Sequence, residues 1–530
     1  MIRTFFIALV VLMFAAEPAR AEPISAIIGL TALLQGVFGT GALLTIGAWS
    51  LTASTLGGMI VGVGLSVGLS IAANALRKRT ATAADQNAGK FNERQPIPSK
   101  RIIVGKTRHG GALFFEECKP PYLYMGFLLN EGRIDAVEKV WIGTNEVPFS
   151  SITEGVILTP SPNIDGPAYE TRLRVSFGYG ADDQGVDAII ADAFASIGSE
   201  FRQRGVAREV LRCHWGSDQS EYTSLWGQVQ RPSPYFLSRG IRVWDPRDPT
   251  QDVDDPDTWQ WSDNPTLIIF DYARAEYGGR LYLDDYDWDI DKICESADWD
   301  DSIVGTASGE FIKRYTCNGM YMLNQGPDQV LKSLMSSNRS RLIDRGGKLW
   351  IDSAKPKTPV ATIHDGILVG GFEYSAARPK RDMINRMKTR FVANDREYEV
   401  VDGPVYQDAD MLAEDGEYLD GTIDLPFTDD HRIAQRLAKI NVAESRLGKS
   451  LPCRCDISLL AMCSDELIGN PVTFNSNLFP QANGTYLVTK MTLSDAVIDL
   501  DLAEYDPSIE TDWNPAADEQ EFTLPELDVS

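Results

Sequence analysis

Hydrophobic and polar positions divide this chain into two unlike parts. From Pro23 to Leu76, a run of 54 residues, no side chain carries a charge. Roughly 20 residues at 1.5 Å each cross a bilayer core, so the run is long enough for two helical spans. Ile24 to Leu44 and Leu51 to Ala75 are the natural spans, with Thr52, Ser54 and Thr55 near the join. Arg77-Lys78-Arg79 then form a basic stop of the kind found at a membrane boundary. Gly58 with Gly62, and Gly64 with Gly68, fall at the G-x-x-x-G spacing that lets helix backbones approach. These four glycines and the Arg77, Lys78 and Arg79 triplet are the candidate membrane or oligomerisation residues. The same composition suits a glycine-rich segment enclosed by protein, because hydropathy does not separate lipid from a dry lumen. Residues 1–21 read as a secretory-type leader: Arg3, an apolar run from Thr4 to Ala16, and a small-x-small Ala19-Arg20-Ala21.

A polar linker over residues 80–97 leads into a body dominated by short apolar runs between Gly, Pro and charged turns. Arg101 to Val104, Ala112 to Phe115, Tyr122 to Met125, Val140 to Ile142 and Lys348 to Ile351 predict strands. Helices are expected over Asp187 to Ala195, Phe201 to Arg208 and Pro327 to Met335. The clearest helix begins at Asp429 or Asp430 and runs to Leu447. Its Ile433, Leu437 and Ile440 recur at helical spacing, and Gly448 follows as a stop. Cys455 to Ala461, Val472 to Asn475, Tyr486 to Met491 and Val497 to Ala503 predict closing strands. The stretch from Glu504 holds nine acids and no base and reads as an exposed tail. The body is thus α+β and strand-rich.

Composition sharpens this division. A chain of 530 residues suggests two to four domains. Its 50 Lys and Arg against 75 Asp and Glu give a net charge of −25. Residues 1–79 hold five bases and two acids, or +3, so the remainder is −28. Such a body repels nucleic acid and anionic surfaces.

Candidate chemistry is sparse. Val104-Gly105-Lys106-Thr107 imitates a phosphate loop, but Lys100 stands where the loop's first glycine belongs. Asp287, Asp289 and Asp291 imitate a calcium loop, with Lys292 at its obligatory glycine. Asp252, Asp254, Asp255 and Asp257 read as a solvated loop. Among the seven cysteines, Cys453, Cys455 and Cys463 come nearest to a cluster but lack zinc-site spacing. His109, His214, His364 and His431 stand apart from one another. The expectation is a non-enzyme with no catalytic, metal or cofactor-binding residues.

One segment carries a family likeness: Asn264-Pro-Thr-Leu-Ile-Ile-Phe-Asp-Tyr-Ala-Arg-Ala-Glu-Tyr-Gly-Gly279. It resembles the N-P-a-l-x-l-x-D-x-L-x-x-x-x-Y-G helix opening the middle domain of the central tail-hub (tip-attachment) protein of lambda-type long-tailed bacteriophages. Arg239 to Asp248 precede it as in that family. Arg314 to Gly319, Pro327 to Met335, Gly347 to Ile351, Phe372 to Tyr374, Arg381 to Asn385, the 429–447 helix and Ile468 to Val472 follow in the family's order. The hydrophobic head before Arg101 to Gly111 resembles the lambda-type tail-assembly protein. The likeness spans roughly residues 40–507.

The resemblance implies hub domains with two barrel-like β domains and a smaller α/β domain, preceded by a hydrophobic helical hairpin. Its divisions would be a signal-like 1–21, a transmembrane-like 22–80, a hub barrel with an α/β insertion at 81–260, and an α/β middle domain at 261–355. A C-terminal hub β domain at 356–507 and an acidic tail at 508–530 complete it. The implied function is a virion protein of the tail tip, a homotrimer that joins tail tube to tip, closes the tube and forms part of the ejection channel. Implied partners are the distal tail protein and tail tube, the tape-measure protein, and tip or fibre proteins. The head would enter the host envelope during infection, and DNA would pass without being bound. Family hubs usually continue into fibronectin-like modules and a fibre, and the sequence stops at Ser530, so receptor recognition is expected of another chain. The competing reading is a bacterial exported or membrane-anchored envelope protein with an acidic β-rich domain.

Overall fold

The computed structural model describes residues 42–46, 49–52, 92–94, 98–162, 168–226, 231–345, 347–494 and 496–522. The chain divides into two compact units, Met1–Arg79 and Thr80–Ser530. In the first, Ala42–Ile46 and Trp49–Thr52 pair as antiparallel strands. Only residues 42–44 and 51–52, at the inner ends of the two predicted helical spans, fall in these strands, and there the backbone is extended rather than helical. Thr45 and Thr52, with Ile46 and Trp49, give the β-branched and aromatic content that favours extended backbone. The rest of both spans, the leader at 1–21 and the basic stop lie outside the described residues. No helix among the described residues is long and apolar enough to cross a membrane.

The second unit opens with two sheets around one core. Ala112–Lys119, Tyr122–Glu131, Val206–His214 and Leu173–Gly178 form the first sheet in that order. The second runs Gln260–Trp261, Pro234–Val243, Ile134–Ile142, Asn145–Val147, with Lys106–His109 also on the 234–243 strand. Met125, Phe127, Leu129, Val175, Phe177, Leu211, Val137 and Phe236 fill the space between the sheets, which together approach a barrel. Glu209 lies opposite Phe127 and Phe177 in register and therefore faces this apolar interior. It is fully buried, and neither carboxylate oxygen has a hydrogen-bond partner. The helix expected over Phe201 to Arg208 is absent. Gly205 takes a left-handed φ of 68°, and from Val206 the chain joins the sheet.

Strand Arg101–Val104 leaves this domain and pairs with Gly319–Met322. It crosses the 234–243 strand so closely that a Cβ on Gly240 would lie 2.1 Å from Ile103 O. Ile102 and Val104 join the core of the middle region. There the helices Pro265–Arg274, Ile290–Asp301 and Pro327–Met335 accompany a sheet of Asp287–Trp288, Lys348–Asp352 and Arg341–Arg345.

The C-terminal region holds two sheets, and residues 360–375 bridge the two edge strands of the first: Thr362–His364 pairs with Pro471–Asn475, while Ile367 O accepts from Asp456 N at 2.8 Å and Val369 N donates to Arg454 O at 2.8 Å. The first is Thr362–His364, Pro471–Asn475, Gly484–Ser494, Val497–Glu504, Cys453–Asp456. The other centres on Arg386–Ala393, with Asp420–Leu425 parallel on one side and Glu399–Asp402 and Tyr406–Gln407 antiparallel on the other. Helix His431–Arg446, capped by the Asp430 carboxylate, buries Ile433, Ala434 and Leu437 against Phe391 and Leu425. The strand expected over Cys455 to Ala461 ends at Asp456, and Leu459–Met462 is a helical turn.

The segment after Glu504 is not an exposed tail over its described length. Glu510 is buried and pairs with Arg339 at 2.7 Å. Asp518 meets Lys439 at 2.8 Å, and Gln520 exchanges hydrogen bonds with Gln435. Phe522 stacks on Phe391 and His431. Residues 505–522 thus form a strap from the middle region to the 431–446 helix.

Candidate functional site

The Asn264–Gly279 segment shows what its sequence motif builds. Asn264 Oδ1 accepts from Leu267 N at 3.2 Å while its Nδ2 donates to Ala297 O at 2.8 Å. One side chain therefore caps the Pro265–Arg274 helix and ties it to the next. Pro265 occupies the first turn, where its missing N–H costs nothing. Thr266 Oγ1 donates to Asp300 Oδ2 at 2.6 Å, and Asn338 Nδ2 (2.9 Å) and Ser353 Oγ (2.6 Å) complete the shell of that buried carboxyl. Burial pushes Asp300 up to about 6 against these hydrogen bonds. Leu267, Ile268, Ile269 and Phe270 are core. Beyond the helix the backbone doubles back, with Gly279 N on Tyr272 O at 3.0 Å. A Cβ on Gly278 would lie 2.1 Å from Tyr272 O, so only glycine fits.

Asp271 is the motif residue that the helix does not explain. It is 9% exposed, and its carboxylate receives no hydrogen bond. Its nearest cation, Arg274, is 3.9 Å away and lies over the Phe270 ring, 4.3 Å from the centroid. Burial raises Asp271 to about 6, with Arg274 opposing. Asp271 and Tyr277 line an open cleft of about 1170 Å³ whose opposite wall is the Gly180–Asp187 turn of the first β domain. Gln184 anchors that turn. Its Oε1 accepts from Gly180 N at 2.9 Å, and its Nε2 donates to Gln203 O at 2.9 Å.

A second junction joins the first β domain to the C-terminal region. Arg108 stacks between Trp141 (4.9 Å) and Tyr235 (5.0 Å) and pairs with Glu397. Tyr398, left-handed at φ 62°, turns its ring into a cluster with Trp141, Leu237 and Val392.

The remaining sequence candidates take structural places. Gly105, at φ 54°, sits where a Cβ would meet Cys317 O at 2.1 Å, so the phosphate-loop mimic is a strand crossing. Asp289 caps the 290–301 helix through Lys292 N (3.2 Å) and pairs with Lys348 (3.0 Å), and Asp255 caps a 3-10 turn. His109 is fully buried between Gly110 O (2.7 Å) and Ser238 Oγ (2.9 Å), and burial lowers it to about 3, leaving a neutral ring. Cys453 and Cys455 face one side of their strand with sulfurs 3.9 Å apart. Among the described residues no three His, Cys, Asp or Glu side chains gather as a metal site. Gly58, Gly62, Gly64, Gly68, Arg77, Lys78 and Arg79 lie outside the described residues. The cleft acids Asp182 and Asp183 escape sequence reasoning, because nothing in Ala181-Asp-Asp-Gln-Gly185 separates them from other acidic turns.

No protein-family profile and no curated protein matches this sequence. The fold does match a chain from the virion of a native gene transfer agent particle. The TM-score is 0.53 at 15% identity, over 87% of this chain and 99% of that one. Two tail proteins align more loosely. For the 43 kDa tail protein of prophage MuSo2 from Shewanella oneidensis, the TM-score is 0.29 at 11% identity, over 78% of this chain and 95% of that one. For the tail protein from Neisseria meningitidis MC58 the values are 0.30 and 11%, over 79% and 94%.

Proposed function

We propose that this chain is a structural protein of a phage-type tail, and within the tail the hub at its tip. The observation that carries the reading is the fold shared with a gene transfer agent virion chain along nearly the whole of both chains. The ordered motifs from Arg239 to Val472 support the finer assignment to a hub. In that role three copies would form a ring joining the tail tube and distal tail protein above to tip or fibre proteins below. The ring would close the tube until host contact and then line part of the ejection channel. An acidic body suits a passage for DNA, since like charge prevents adhesion. The uncharged 23–76 stretch would serve at the host envelope, beside the tape-measure protein. Rigid packing in the second unit, rather than a reactive centre, would do the work.

The test is purification of particles followed by mass spectrometry and electron microscopy. The chain is expected in particles at three copies, at the distal end of the tail. Particles lacking residues 23–76 should assemble and adsorb but fail to deliver DNA. Recovery of the protein in the envelope of uninfected cells, and not in particles, would overturn the proposal in favour of an exported envelope protein.

A further inference from the structure

We infer that Cys453 and Cys455 form a redox site, a dithiol that a peroxide turns into a disulfide, and that the new bond frees residues 367–375 from the edge of their strand. Strand Cys453–Asp456 places the two side chains on one face, opposite Leu500 and Ile498. Their sulfurs lie 3.9 Å apart, while Arg454 turns to the other face and pairs with Asp499 at 2.7 Å. Among the described residues no further Cys, His, Asp or Glu joins them as a set of metal ligands, so the pair is suited to two-electron thiol chemistry. The Cys453 thiol donates toward Cys455, which holds the Cys455 thiol below its ordinary range and raises that of Cys453. Cys455 is therefore the nucleophile.

Both residues are buried, and the way in is the strand edge. Segment 367–375 covers that edge through Asp456 N on Ile367 O and Val369 N on Arg454 O, both 2.8 Å, and Glu373 N on Pro452 O at 3.1 Å. Between these bonds stand two exposed glycines, Gly370 at a left-handed φ of 91° and Gly371. Local opening at this glycine pair admits a water-sized oxidant. The Cys455 thiolate attacks one peroxide oxygen and the O–O bond breaks, giving a sulfenic acid and a hydroxide that takes up the proton Cys455 shed. Cys453 then displaces the sulfenic hydroxyl. The S–S bond forms, the S–O bond breaks, and the Cys453 proton leaves with the hydroxyl as water. Two thiols thus lose two electrons while one peroxide becomes two waters. Strand residues two apart hold their Cα atoms about 6.6–6.8 Å apart, whereas disulfides mostly hold theirs at about 5.5–6 Å. The bond therefore puckers the strand at Arg454, whose carbonyl is the acceptor for Val369, and the segment stays open. This inference does not depend on the hub reading.

The test treats the reduced full-length protein with hydrogen peroxide, blocks the remaining thiols with iodoacetamide and maps the peptides by mass. The peptide spanning both cysteines is expected two hydrogens lighter and unalkylated, and dithiothreitol should reverse the change. Hydrogen exchange at the Val369 and Asp456 amides should run about tenfold faster in the oxidised protein, the equivalent of one lost hydrogen bond. Cys453→Ala should abolish both effects while exposed Cys118 oxidises as before. Cys118 oxidised with Cys453 and Cys455 still alkylated, or a 453–455 disulfide with unchanged exchange, overturns the inference. The peptide mass and the exchange are both read on the unaltered chain, so they decide the matter even where Cys453→Ala fails to fold.

Discussion

Replacing Glu209 should make this protein more stable, and the gain should grow with pH. The carboxyl sits between Phe127 and Phe177 in the interior of the first β domain with both oxygens unpartnered. Burial, aided by the charge of Asp187, holds its pKa well above the ordinary 4.5. The folded chain therefore keeps a proton that the unfolded chain releases. Stability from that proton is fully present below about pH 4.5 and is lost as pH rises toward the folded value, by up to about 1.4 kcal/mol per unit. Glu209→Gln removes the titration but keeps the shape. It should match wild type near pH 4.5 and exceed it increasingly at pH 5, 6 and 7. Glu209→Met also removes the unpartnered polar atoms and should add roughly 1–3 kcal/mol at every pH. Asp271, Asp300 and Asp429, each raised to about 6 by burial, titrate in both proteins and cancel in the difference. Urea midpoints at the four pH values supply the measurement. Parallel profiles for wild type and Glu209→Gln, or a less stable Gln variant at pH 7, would refute the reasoning.

Three further outcomes are expected. Asn264→Ala loses a cap and the tie to Ala297, and should cost about 1–2 kcal/mol, read as a lower melting temperature. Arg108→Ala removes two ring contacts and the Glu397 pair, and should cost about 1–3 kcal/mol. It should also admit proteases at the 394–398 turn, visible as a new early fragment. Leu437→Ala leaves a hole beneath the 431–446 helix and should cost about 2–5 kcal/mol in a urea titration, whereas exposed Leu493→Ala should change stability by less than about 0.5 kcal/mol.

Sequence reading succeeded wherever a local signal agrees with the tertiary environment. The 431–446 helix has its cap, its 3.6-residue stripe and its ending written in consecutive residues. The Asn264 segment was legible as a helix only through its family likeness, although its cap, proline and glycine reversal all lie within 16 positions. Phe201 to Arg208 failed because its polarity suits a helix surface, while pairing with Tyr122–Glu131 decides the outcome from Val206 on. The acidic segment after Glu504 looked solvated because its partners Arg339, Gln435 and Lys439 lie 79 to 171 positions earlier. The cleft was illegible for a related reason. Asp271 appears in the motif, but its burial without a donor, and the approach of the Gly180–Asp187 turn, exist only in three dimensions.

The pairing of Arg101–Val104 with Gly319–Met322 sets a clock on synthesis. Val104 waits for Gly319, 215 positions later, before its strand is complete. At about 5–20 residues per second, Ile102, Ile103 and Val104 stay unpaired for roughly 10 to 40 seconds on the ribosome. During that interval a fully apolar strand edge is open to other nascent chains. Soluble yield of this protein should therefore respond to translation speed and holdase chaperones more than its final stability would suggest. The first β domain and the middle region should also appear in pulse-labelling as one late, joint folding event.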